Sequence, residues 1–136
     1  MTASATPVWE TWQSATRQAV PFLRHALVSV LRDHGHHALT DTAGLLASEL
    51  VTNAIQHALA PLGAVGISLT IHPDRIRVGV TDDDPRVPLL RYASGNETHG
   101  RGIAIVDAFA DKWGVDYRDG RKAVWFELPY VAPEET

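Results

Sequence analysis

The feature that most constrains this chain is a change of hydrophobic period near residue 63. Upstream, Phe22, Leu23, Ala26, Leu27, Val30 and Leu31 recur as doublets four residues apart, and Leu46, Leu50 and Ala54 keep the same spacing. That stripe predicts amphipathic helices. Downstream, Val65, Ile67, Leu69 and Ile71 alternate with polar or small residues, as do Ile76, Val78 and Val80. Alternation predicts strands that bury one face. A chain that makes this switch is neither all-helical nor all-β, and its strands need helices to cover them.

The punctuation refines the pattern. Pro21 suits a first helical turn and Gly35 a helix exit. Thr40 is the expected N-cap of the second helix, with Asp41 favourable in its first turn. That helix is expected to reach about Ala58, where Pro61 and Gly63 stop it. Val8 to Gln13 reads as a short strand, and His72-Pro73-Asp74 as the turn of a hairpin. Asp82 to Arg86 closes the second strand of that hairpin. Residues 87 to 99 show no period and are expected to form a mobile connection. Ile103 to Ala110 is a short helical pattern directly after Gly100-Arg101-Gly102. Lys112 to Tyr117 and Ala123 to Leu128 form a last hairpin around Asp119-Gly120. Strand runs alternating with helix runs give an α+β class. The expectation is a two-layer sandwich, with a mixed, mostly antiparallel sheet and helices on one face.

At 136 residues the chain is expected to be one domain, 1–136, with flexible tails at 1–7 and 131–136. A formal charge of −4 and the lack of a long basic run argue against a nucleic-acid partner. There is no cysteine, so disulfides and thiolate metal sites are excluded, and a reducing compartment is allowed. No apolar run approaches membrane-spanning length, and no signal peptide is evident. The expectation is a cytoplasmic protein with no membrane partner.

Three segments carry candidate chemistry. In SELVTNAIQHA, residues 48–58, Glu49, Asn53 and His57 fall at four-residue steps and share one helix face. Glu49 could serve as a general base, Asn53 could bind a metal ion through its carbonyl oxygen, and His57 could reach a phosphate; on spacing alone a solvated helix edge is the better account. Asn inside a helix competes for backbone hydrogen bonds and so asks for a reason. Thr81-Asp82-Asp83-Asp84 is either a solvated turn, a cation site, or a carboxylate placed to accept from an exocyclic amine such as that of adenine. Thr98-His99-Gly100-Arg101-Gly102-Ile103 sets glycines two apart before a helix, where free N–H groups suit an anion. It matches neither the phosphate-loop nor the dinucleotide fingerprint.

Taken in order, these segments resemble the GHKL ATPase superfamily of histidine kinases, type II topoisomerases and some chaperones. SELVTNAIQHA is similar to its N box, VTDDDPRVP to a degenerate first glycine box, HGRGIAIVDAFADKWGV to the second, and GRKAVWFEL to the closing strand. The nearest resemblance is to small actinobacterial serine kinases of the RsbW anti-sigma-factor type, and it covers about Pro21 to Leu128. It implies ATP and Mg²⁺ as cofactors. Asn53 would hold Mg²⁺, and Glu49 would act as catalytic base. Asp82 would take the adenine amine, and His57 would lie beside the phosphates. Gly100, Arg101, Gly102 and Ile103 would supply backbone room, N–H donors and charge, with the preceding loop as a lid.

The implied reaction is γ-phosphoryl transfer to a serine or threonine of a partner, a sigma factor or its antagonist. A homodimer is a further option. Two departures stand out. The usual DxGxG is replaced by Asp82-Asp83-Asp84-Pro85-Arg86, and Ala123 stands where a threonine commonly supports the adenine-binding Asp. Losing that hydroxyl would cost about 1 kcal/mol. The rival reading is therefore a nucleotide-dependent partner-binding switch without kinase activity. A metal-binding protein using His34-Gly35-His36-His37 lacks an acidic or cysteine partner at matching distance. Trp9, Trp12, Trp113 and Trp125 read as sheet-packing and dimer-edge residues.

Overall fold

The computed structural model describes residues 6–56, 63–82, 100–118 and 120–131, the side chains of 100–102 and 118 excepted. The apolar stripes become α1 (Ala19–Asp33) and α2 (Thr40–Gln56), packed on each other. Leu23, Leu27 and Leu31 of α1 and Leu46, Leu50 and Val51 of α2 are buried in their shared core. Gly35 leaves α1 at φ +83°, which only glycine reaches without strain.

Thr40 does not cap α2 as expected. A 3-10 turn over His37–Leu39 leads into the helix, and Thr40 already has helical angles, φ −63° and ψ −39°. Both its N–H and its hydroxyl donate to the His37 carbonyl, the hydroxyl at 3.0 Å. The turn therefore does the work assigned to a cap. The expected end of this helix, at about Ala58, lies outside the described residues.

Five strands follow the second period: β1 (Trp9–Ser14), β2 (Ala64–Ile71), β3 (Arg75–Asp82), β4 (Lys112–Arg118) and β5 (Arg121–Pro129). Their order is β1-β2-β3-β5-β4. All pairings among the described residues are antiparallel, so the expected parallel component is not found. The reason is the crossover. After β3, the chain passes through α3 (Gly100–Phe109) to the sheet edge, lays down β4, and returns by a tight turn with Gly120 at φ +74°. β5, not β4, thus meets β3. α3 begins three residues before the expected Ile103, because the glycines enter its first turn, where N–H groups need no helical partner.

Strand register fixes the two faces. Val65, Ile67, Leu69, Ile76, Val78, Val80, Phe126 and Leu128 point to the helices and are buried. On the opposite face Trp12 covers Gly66, and Trp125 covers Gly114. A Cβ at either glycine would lie 2.6 Å from an indole carbon. The Arg77 guanidinium sits 3.8 Å from the Trp125 ring centroid and holds that ring down. Gly114→Ala is expected to cost about 1–3 kcal/mol through overpacking. Gly66→Ala should cost less, because Trp12 is 36% exposed and can swing away. Thermal denaturation of the two variants checks the ranking.

The sheet has two distinguishable ends. At one, the β2–β3 turn meets Tyr130, whose hydroxyl donates to the His72 carbonyl. The His36 ring lies 4.3 Å from the Tyr130 ring, so the α1–α2 connection is at this end too. α2, seventeen residues and about 25 Å long, runs from there toward the other end, where β3 finishes at Asp82.

Candidate functional site

α2 brings Glu49 and Asn53 toward the Asp82 end of the sheet, one helical turn apart, both half-buried beside its core face of Leu46 and Leu50. The Oδ1 of Asn53 is buried and has no hydrogen-bond partner among the described residues. Leaving a buried acceptor unsatisfied costs about 1–3 kcal/mol, so such an atom in a packed helix asks for a ligand. A carbonyl oxygen of this kind is the donor type that a hard divalent cation takes, and Asn53 fits Mg²⁺ on that ground. His57 lies outside the described residues.

Asp82 closes β3 on the helix side of the sheet. It is buried, and its Oδ2 lies 3.4 Å from Nζ of Lys122, whose side chain is 8% exposed. This corrects the reading of the closing strand. Ala123 pairs with Thr81, so its side chain points to the opposite face, away from Asp82. The residue directly across from Asp82 is Lys122. An ammonium, not a missing hydroxyl, is the feature that distinguishes this position. Asp83, Asp84, Pro85 and Arg86 lie outside the described residues.

α3 packs against α2. Its far end is tied to the sheet: Trp113 Nε1 of β4 donates to Asp107 of α3 at 2.8 Å, and the N–H of Asp111, between α3 and β4, donates to the Glu127 carbonyl of β5. Gly100 begins the helix about 15 Å from that tie. Gly100, Gly102 and Ile103 thus open a ten-residue helix, with Ile103 packed against the core. The side chain of Arg101, together with Thr98 and His99, lies outside the described residues.

Among the described residues, no group of three acids or histidines could hold a metal ion. His34 Nδ1 lies 2.9 Å from the Val30 carbonyl, and the His36 ring packs tilted at 59° against Tyr130, so these imidazoles complete a helix exit. Burial, then neighbouring His34, lowers the pKa of His36. Trp12 and Trp125 pack on the sheet, as expected of them. No helix among the described residues is long and apolar enough to cross a membrane.

The described residues form a five-stranded antiparallel sheet with helices packed on one face. Comparison with known proteins gives the family. The profile of the histidine kinase-like ATPase domain matches residues 13–128, and the chain belongs to that family. Membership implies ATP binding. An uncharacterised protein of Streptomyces coelicolor is 45% identical over 80 residues, 57% of this chain and 75% of that protein. The histidine kinase domain of a blue-light-activated histidine kinase from Erythrobacter litoralis superposes with a TM-score of 0.52 at 26% identity. That match covers 66% of this chain but only 44% of the solved one. The catalytic domain of the histidine kinase ThkA shares the fold with a TM-score of 0.56 at 18% identity, over 90% of this chain and 97% of its own.

Proposed function

We propose that the chain is a cytoplasmic serine/threonine kinase of the anti-sigma-factor type, acting on a sigma factor or its antagonist. The observation that carries this reading is the buried Oδ1 of Asn53, without a hydrogen-bond partner among the described residues, one turn after Glu49 on α2. In this reading Glu49 accepts the proton of the attacking hydroxyl as its oxygen bonds to the γ-phosphorus and the bond to the β-phosphate oxygen breaks. Asn53 holds Mg²⁺, which neutralises phosphate charge when bound. Asp82 accepts from the base amine. N–H groups of Gly100, Arg101, Gly102 and Ile103 receive phosphate oxygens, with His57 and the Arg101 side chain adding charge. Phosphoryl transfer depends mainly on positioning and electrostatics, so these parts suffice.

A Mg²⁺-ATP titration by calorimetry tests the site. Asn53→Ala and Asp82→Asn are each expected to weaken binding by about tenfold or more. Undiminished affinity in both variants would sink the assignment. Binding without transfer to any co-encoded antagonist would favour the partner-binding switch.

A further inference from the structure

Lys122 adds to the site something a lone carboxylate lacks. An ionised carboxylate only accepts hydrogen bonds, so by itself it draws an exocyclic amine and repels a carbonyl. In the pose that seats adenine, a 6-oxopurine would set its O6 against that carboxylate and be repelled. Here the ammonium of Lys122 stands 3.4 Å from Oδ2 of Asp82, across the β3–β5 register, with both side chains at most 10% exposed. An ammonium carries three donors and no acceptor. At a strand end, a lysine ordinarily runs its long stem out and leaves its charge in water. This one is folded inward onto the carboxylate, although burying an ion pair brings little net stability.

The pair therefore presents an acceptor beside a donor. Adenine offers it an amine next to the N1 acceptor. Guanine offers an N1–H and amine next to the O6 acceptor. Both edges match, with the base shifted between them.

Resting on the nucleotide-binding reading above, we propose that this site takes guanine as well as adenine nucleotides, and that Lys122 is the residue that admits the 6-oxo group. Displacement of a fluorescent ATP analogue by ATP, GTP and ITP in the presence of Mg²⁺ tests it on the unmodified protein. ITP isolates the oxo group, since it lacks the 2-amine. GTP and ITP are expected within about thirtyfold of ATP, and weaker binding of either overturns the inference. Lys122→Thr is expected to lower the GTP-to-ATP and ITP-to-ATP affinity ratios by about tenfold or more, and unchanged ratios overturn it. Should that variant fail to fold, the three nucleotides on the unmodified chain decide alone. ATP binding without GTP or ITP defeats only this inference. Binding of none of the three defeats the nucleotide reading, and this inference with it.

Discussion

Replacing Glu49 by alanine is expected to slow phosphoryl transfer at least about a hundredfold, the usual size of a lost general base. The side chain sits on α2 one turn before Asn53, half-buried beside the helix core face of Leu46 and Leu50. A base at that place acts only as the attacking hydroxyl loses its proton. The loss should therefore fall on kcat more than on KM. Single-turnover transfer of labelled phosphate to the partner, with a nucleotide titration alongside, separates the cases. A variant that transfers phosphate as fast as the unmodified chain would remove Glu49 from the chemistry. Glu49→Gln, which keeps the shape without the basicity, should behave like the alanine variant.

The largest effect on stability is expected at Glu127. This carboxylate is 2% exposed, and its Oε2 receives Arg77 Nε at 2.9 Å and lies 3.1 Å from Arg75 Nε. Both guanidiniums keep about a third of their surface in water and can rehydrate, so Glu127→Ala should cost about 3 kcal/mol, the lower end for a broken buried pair. In a domain of this size that lowers Tm by about 10 °C.

The same network sets an acid limit. Burial pushes the Glu127 pKa up, but hydrogen bonds and charge from Arg75 and Arg77 outweigh it, and the net shift is downward from 4.5. A carboxyl depressed in the folded state adds stability that is full above its unfolded pKa and is lost as pH falls through the lower, folded value. Denaturant midpoints should therefore fall as pH drops below about 4.5, and Glu127→Ala should flatten that slope. An equal slope in the variant would assign the acid sensitivity elsewhere.

Local chemistry made much of this architecture legible. The hairpin through His72-Pro73-Asp74 could be read from alternation on either side, and Ile71 does face Ile76. Gly35 and Gly120 marked the positive-φ exits they occupy. Asn53 announced itself as a helix-interior amide with no local use. What could not be read depends on partners far along the chain. That β5 rather than β4 meets β3, and that Lys122 rather than Ala123 faces Asp82, follows from a register no local pattern encodes. The Thr40 cap failed for a subtler reason. The 3-10 turn before it supplies the hydrogen bonds from the backbone, and nothing in His37-Ala38-Leu39 signals that turn.

The central pairing also dictates when this protein can become itself. β3 is flanked by β2, made immediately before it, and by β5, made only after α3 and β4. During synthesis, the β2–β3 hairpin therefore emerges with one long edge open and its apolar face covered only by α1 and α2. The middle of the sheet closes when residues 121–129 leave the ribosome, and the Asp82–Lys122 pair forms in that same late step. An open edge in a nascent chain invites pairing with a neighbour. Truncations that end before Arg121 should accordingly aggregate, and the nucleotide site should be the last part of the molecule to mature.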